Sequence, residues 1–175
     1  MSSYAAREAR PDDAQAIATI YNQGIADRIA TFETSSRTAA DVRRWFDGRH
    51  PIVVITDERE RIVAFGSTSE YRPRECYAGI AEFSVYVDRD LRGRGVGQLA
   101  VAALIDACRV AGFWKLVSRV LVENTASRRL LRAIGFREVG VYERHGRLDG
   151  VWHDVVIVER LIDRDAVDTT PNQSR

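Results

Sequence analysis

Cysteine is scarce in this chain: Cys76 and Cys108 are the only two, far apart and in different predicted elements. That excludes a Cys-x-x-Cys redox pair or a cysteine zinc site, and both are read as free thiols. The three histidines, His50, His145 and His153, lack metal-ligand spacing, so no metal is expected and each is read as structural or exposed. No apolar run approaches the roughly 20 residues of a membrane helix, and Met1-Ser2-Ser3-Tyr4 lacks the blocks of a signal peptide; a cytoplasmic protein is expected. An excess of one charge sign is missing too. Lys+Arg 26 against Asp+Glu 25 gives +1, which supplies no general field for nucleic acid or a membrane, so any basic site must be local. Repeats and interdomain linkers are also absent. The 175 residues fit one domain, placed at 1–162, and 45% hydrophobic content is enough for a single core. Residues 163–175 are polar, carry Pro171 and show no apolar period, which predicts a disordered tail.

What is present is a regular alternation of elements. Tyr4 to Ala9 reads as a short strand, and Arg10-Pro11-Asp12-Asp13 opens a helix with Ala14, Ile17, Ile20, Tyr21 and Ile25 at helical spacing. Thr38 can cap a second helix holding Val42, Trp45 and Phe46 and ending near Gly48. Strands are expected at Ile52 to Thr56 and Ile62 to Tyr71, joined by the charged turn Asp57 to Glu60, and at Glu82 to Val87. Gln98 to Ala111 reads as a helix with Leu99, Ala102, Ala103 and Ile105 toward the core. A strand at Leu116 to Val122, a helix at Thr125 to Ile134, and strands at Glu138 to Glu143 and Trp152 to Leu161 complete a mixed α/β (α+β) chain.

Between the strand at Glu82 to Val87 and the helix from Gln98 lies Arg92-Gly93-Arg94-Gly95-Val96-Gly97. Glycines at alternate positions before a helix leave backbone N–H groups uncovered for an anion, so the expected ligand carries a phosphate. A P-loop would need Gly-Lys-Ser/Thr before the helix, where this chain has Gly97-Gln98-Leu99. A dinucleotide fingerprint would need Gly-x-Gly-x-x-Gly and an acidic ribose partner about 20 residues on. A plain helix-starting turn is the bland alternative.

The loop is accompanied by Glu123-Asn124-Thr125-Ala126-Ser127 at the start of a helix that ends at Ile134-Gly135-Phe136. Arg-Gly-x-Gly-x-Gly, then Asn-x-x-Ser, then Gly-Phe resembles the GNAT N-acetyltransferases over about Tyr4 to Ile162. Tyr71-Arg72-Pro73-Arg74-Glu75-Cys76-Tyr77, Ala81 to Val87, Phe32-Glu33-Thr34 and Asp149-Gly150-Val151-Trp152-His153-Asp154 are similar to the phosphinothricin and arsinothricin N-acetyltransferases. The resemblance implies a GNAT fold with a mixed, mostly antiparallel central sheet flanked by helices, acetyl-CoA as cosubstrate, and a homodimer with Trp152 and the final strands as candidate interface. It implies main-chain pairing of the pantetheine arm at Val85 and Val87. The pyrophosphate would then rest on Arg92, Gly93, Arg94, Gly95, Val96 and Gly97, with Asn124 near the pantetheine and Ser127 as a further cofactor contact; a helix N-cap is the structural alternative for Asn124.

Acetyl transfer to an α-amino group needs a base, because the amine is largely ammonium at pH 7. Glu82 matches the family's catalytic glutamate; a strand-end carboxylate in a salt bridge is the structural alternative. Arg72 and Arg74 lie two apart, so on an extended segment they point to one side and can form a pocket for an acidic substrate. They match the family's basic substrate residues, and Tyr77 and Phe32 resemble its pocket walls. Arg119 interrupts the strand Val117 to Val122, so it either pairs with an acid or faces the active site, where it would be a substrate contact. One departure stands out. Seven residues after the asparagine, where many members carry a tyrosine or histidine acid, this chain has Leu131. A thiol pKa near 8.5 makes the thiolate a tolerable leaving group, and Tyr86 is a candidate donor. The expected function is α-amino acetylation of a glutamate-like toxic amino acid, conferring resistance. A broader L-amino acid N-acyltransferase, acting for example on methionine sulfoximine, and a non-catalytic acyl-CoA-binding module are the alternatives; Glu82 argues against the last.

Overall fold

The computed structural model describes residues 3–162, so the expected tail at 163–175 lies outside the described residues. The elements are β1 (Ala5–Glu8), α1 (Ala14–Asp27) after a single 3-10 turn at Pro11–Asp13, α2 (Ala39–Arg43), β2 (Ile52–Thr56), β3 (Ile62–Glu70), β4 (Ile80–Val87), α3 (Val96–Val110), β5 (Lys115–Leu121), α4 (Thr125–Ala133), β6 (Arg137–Leu148) and β7 (Val151–Leu161). The seven strands form one sheet in the order β1-β2-β3-β4-β5-β7-β6. Every neighbouring pair is antiparallel except β4 with β5. The expected mixed, mostly antiparallel α/β architecture is the one observed.

Helices cover both faces of the sheet, which is why Ile52 to Thr56 is buried at every position rather than alternately. On one face Ile17 and Ile20 of α1 and Val42 of α2 pack on Val54, Phe65 and Tyr86. On the other, Val101, Leu104 and Ile105 of α3 pack on Val53, Phe83, Leu116 and Val156. Thr38 caps α2 through a reciprocal pair: its Oγ1 accepts the Asp41 N–H at 3.2 Å, and the Thr38 N–H donates to Asp41 Oδ2 at 2.7 Å.

Four expectations need correction. The second helix stops at Arg43, and Trp45 and Phe46 pack from the segment beyond it. Helix α3 begins at Val96, before Gln98, because Gly95 at φ 82° supplies the cap. Its buried stripe is Val96, Ala100, Val101, Leu104, Ile105 and Cys108, while Leu99, Ala102 and Ala103 are half-buried. The segment after Glu70 is not extended, so the geometry assumed for Arg72 and Arg74 does not hold. Strand β6 runs past Glu143 to Leu148, across a register shift between Tyr142 and Gly146. Arg144 adopts φ 46° there, and its N–H donates to Asp154 Oδ1 at 2.7 Å. The bulge bends the strand without ending it. The turn to β7 is Asp149-Gly150, at φ 48° and 83°, the primed geometry that suits a two-residue hairpin loop.

Beside the bulge, one irregularity organises the molecule. The β4–β5 pairing runs from Ile80↔Lys115 to Glu82↔Val117 and goes no further, while β3 stays with β4 to Val87 and β7 stays with β5 to Leu121. The two parallel strands splay apart. At the fork, Ser118 Oγ donates to the Phe83 carbonyl at 2.8 Å.

Candidate active site

A cleft of about 410 Å³ occupies the fork, walled by Phe83 to Val87 on one side and Ser118 to Val120 on the other. Beyond Glu82 no strand among the described residues lies on the β5 side of β4, so its main chain there is open to a ligand that pairs as an added strand. Val85 and Val87 both line this cleft. The Val87 carbonyl already accepts from Arg92 Nε at 3.3 Å.

The cleft continues to the glycine turn, where the three glycines serve two purposes. Gly93 and Gly95 take φ 76° and 82°, a left-handed backbone that side chains disfavour, and a Cβ at either would touch nothing. Gly97 serves close approach: a Cβ there would lie 2.9 Å from Leu130 Cδ1 and 3.3 Å from Val87 Cγ2. The side chain of Val96 is buried with Ile55 and Val63, which pins the loop to the core. The first intrahelical bond is Leu99 N–H to the Gly95 carbonyl at 3.2 Å, so the amides of Val96, Gly97 and Gln98 carry the unsatisfied donors of a helix start. Together with the helix dipole they form an anion seat.

The arginines of the turn behave differently from one another. Arg92 lines the cleft, but its Nη1 binds Asp27 Oδ2 at 2.6 Å, and the same carboxylate takes Arg89 Nη2 at 2.6 Å. The hydrogen bond from Arg89, reinforced by Arg92, holds the Asp27 carboxyl below its ordinary pKa. Arg94 is exposed and makes no ion pair among the described residues. At the far end of the cleft Asn124 caps α4, accepting the Ser127 N–H at 3.1 Å, and both residues line the wall. Leu131, 5% exposed, fills the position from which the family acid is missing.

A second pocket, of about 520 Å³, opens beside the first and shares Ala30, Ser84, Tyr86, Ser118 and Arg119 with it. Glu82 lies on its wall, half-buried, with Oε1 receiving Arg119 Nη2 at 2.5 Å. The two alternatives for Arg119 therefore coincide: it pairs with an acid and lines the site. Tyr86, 8% exposed, stacks on Phe65 at 5.5 Å and meets Tyr21 edge-on at 4.9 Å. Burial, with Tyr21 adding to it, pushes its phenol well above the ordinary pKa, while a hydrogen bond with Thr31 partly offsets this. The hydroxyl is thus a neutral donor across the physiological range. Phe32 closes one side, its ring seated against Gly146, where a Cβ would come within 2.7 Å of it.

Arg72, Arg74 and Tyr77 do not line either pocket. They form a surface cluster in which Arg72 lies 5.4 Å over the Tyr71 ring, Arg74 lies 5.7 Å over Tyr77, and the two tyrosines meet edge-on at 5.8 Å. The pocket contains Glu33, beside Phe32, and groups that sequence reasoning passed over: Tyr21, Ser84, Ser118, His145 and Arg147. For the last two a usable signal existed, since the Asp149-Gly150 turn implies that its preceding strand reaches back through Arg147. Of the other histidines, His50 binds Asp47 at 2.5 Å and His153 binds Glu123. No group of metal-binding side chains occurs among the described residues, and no helix there is long and apolar enough to cross a membrane.

A sheet opened between two parallel strands, with a helix start at the mouth of the opening, sets free main-chain groups beside the kind of helix terminus that suits an anion. Residues 17–136 match the acetyltransferase (GNAT) family, and the chain belongs to that family. It is 34% identical over 155 residues to a phosphinothricin N-acetyltransferase of Streptomyces coelicolor, covering 85% of this chain and 91% of that one. It is 32% identical over 161 residues to an L-methionine sulfoximine/L-methionine sulfone acetyltransferase of Pseudomonas paraeruginosa, covering 90% and 94%. In three dimensions it is similar to a GNAT phosphinothricin acetyltransferase from Sinorhizobium meliloti solved in complex with acetyl-CoA, with a TM-score of 0.87, 26% identity, and 98% and 94% of the chains covered.

Proposed function

We propose that this chain transfers the acetyl group of acetyl-CoA to the α-amino group of a small glutamate-like amino acid, with phosphinothricin or arsinothricin as toxic substrates whose capping confers resistance. The observation that carries this reading is the junction of the two pockets: Ser84, Tyr86, Ser118 and Arg119 line both, and Glu82 stands beside them. In this reading the pantetheine arm lies along Val85 and Val87, and the pyrophosphate rests on the amides of Gly93 to Gly97, with Asn124 and Ser127 at the flank. The amino acid fills the second pocket against Phe32, with its carboxylate beside Arg119.

Glu82 takes a proton from the substrate ammonium, directly or through one water, and the freed lone pair attacks the thioester carbonyl. The departing thiolate takes its proton from solvent or from the product ammonium, and Tyr86, whose phenol burial holds protonated, donates a hydrogen bond to the leaving sulfur without giving up its proton. Leu131 does no proton chemistry and instead seals the cleft. Arg72, Arg74 and Tyr77, which stand outside the pocket walls, would act on substrate from the rim. In this reading a homodimer would use Trp152 and the final strands, where Val139, Val141, Tyr142 and Trp152 are exposed. A cytoplasmic location goes with such a detoxifying role.

A broader L-amino acid N-acyltransferase is the second reading, favoured by the similarity to a methionine sulfoximine acetyltransferase. A panel of amino acids assayed for CoA release with a thiol reagent separates the two. The glutamate-like reading expects the highest kcat/KM for phosphinothricin. Equal values for methionine sulfoximine and neutral amino acids favour the broader enzyme, and no release with any amino acid overturns both.

A further inference from the structure

The second pocket carries positive charge that its own carboxylates leave unanswered. Of the carboxylates on its wall, Glu82 is held by Arg119 at 2.5 Å and Glu33 by Arg37 at 2.6 Å. Arg147 lines the same pocket and has no carboxylate within ion-pair distance among the described residues. Its Nη2 donates to the Gly150 carbonyl at 2.9 Å, and its guanidinium lies 5.2 Å over the Trp152 ring. That contact uses one of the five N–H donors, and stacking on an indole restrains the plane, so the remaining donors are oriented in advance.

The backbone is built to hold this segment over the pocket. The register shift between Tyr142 and Gly146, fixed by the Arg144 N–H on Asp154, turns the end of β6 away from a straight edge strand. The hairpin tip is tied down by Asp149, whose Oδ2 lies 3.0 Å from Arg28 Nε at the end of α1. Gly146 receives the Phe32 ring from the same loop.

Resting on the reading that an amino acid occupies this pocket, we propose that Arg147 is a specificity-determining residue that recognises a second acidic group, the one on the amino acid's side chain. An α-carboxylate is two bonds from the amine. A substrate whose amine meets Glu82 therefore leaves that carboxylate beside Arg119, which touches Glu82. A side-chain acid lies several bonds further out, toward β6. That strand is separated from β5 by β7 alone, about 10 Å at ordinary strand spacing, a gap that a long arginine side chain partly spans. Glutamate-like substrates thus place one acid on each arginine, and substrates with a neutral side chain leave Arg147 unused.

The test uses the full chain with saturating acetyl-CoA and compares kcat/KM for phosphinothricin, whose side chain is acidic, with that for methionine sulfoximine, whose side chain is neutral. In Arg147→Met the ratio of the two falls tenfold or more, as expected when a charged hydrogen-bond donor is lost, with the change carried by the KM of the acidic substrate. Arg147→Lys restores part of it. A smaller fall, a larger fall in Arg72→Ala, or a wild-type enzyme that acetylates only neutral amino acids overturns the assignment. If Arg147→Met loses acetyl-CoA binding by calorimetry and so fails to fold, Arg147→Gln, which keeps a donor for Gly150, is judged by the same ratio. A wild-type enzyme silent on every amino acid strikes the amino-acid reading itself, whereas an unmoved ratio strikes only Arg147.

Discussion

The two pockets meet at five residues and are built on different principles. The cleft in the fork is made mostly by one stretch of chain, β4, the glycine turn, α3, β5 and the start of α4, closed by Gly24, Ile29 and Ala30 from α1 and the loop after it, with main-chain amides and apolar walls as its chemistry. The neighbouring pocket is made by side chains from α1 and the loop after it, β4, β5 and the end of β6, knitted by the pairs Glu82–Arg119, Glu33–Arg37 and Arg28–Asp149. A site of backbone donors survives most substitutions because every residue but proline has an N–H. Its weak points are the positions where only glycine gives the required conformation. A site of side chains has a weak point at each charged group, and the same property lets its specificity change while the fold stays as it is.

Substitutions aimed at each site separately would sharpen or break that contrast. The largest effect is expected at their junction: Glu82→Gln should lower kcat by about 10²- to 10⁴-fold, the range for a lost general base, while calorimetry shows acetyl-CoA still bound. Turnover at the wild-type rate would leave Glu82 as the salt-bridge partner of Arg119 and nothing more. Next comes the backbone site. Gly95→Val places a branched residue at φ 82° with no atom within 4 Å of the new Cβ, so its cost is conformational, about 1–2 kcal/mol. The KM for acetyl-CoA should rise roughly tenfold and that for the amino acid should stay within twofold; equal rises would erase the division between the sites. The smallest effect belongs to Gly146→Ala, whose Cβ would press on the Phe32 ring at 2.7 Å. Overpacking of about 1 kcal/mol should raise the amino-acid KM a few-fold with little change for acetyl-CoA, and an effect on acetyl-CoA alone would place Phe32 in the other site.

The same contrast explains what could be read before folding. The glycine turn, its helix, the Asn124 cap and the strand before them were legible because each depends on residues within one or two turns of chain. The α3 stripe was misjudged because apolar residues occur around much of this helix, and packing on the sheet, which the local pattern does not carry, selects Ala100, Val101, Leu104 and Ile105 over Leu99, Ala102 and Ala103. Strand β6 was cut short at Glu143 because a bulge breaks alternation locally, and the hydrogen bond that stabilises it comes from Asp154, on another strand. Arg72 and Arg74 looked like a pair because an extended segment was assumed, whereas β3 ends at Glu70 and each guanidinium packs on its own tyrosine.

The amino-acid sequence by itself determined the order of strands and helices, the glycine turn with its uncovered amides, and the family to which the chain belongs, since all of these follow from patterns that neighbouring residues carry. Only the tertiary structure decided that β4 and β5 part after Glu82, that Arg119 closes on that carboxylate, and that the end of β6 reaches over the pocket with Arg147. Those arrangements depend on packing both faces of a twisted sheet and on ion pairs between residues as distant as Arg28 and Asp149, which no local pattern encodes.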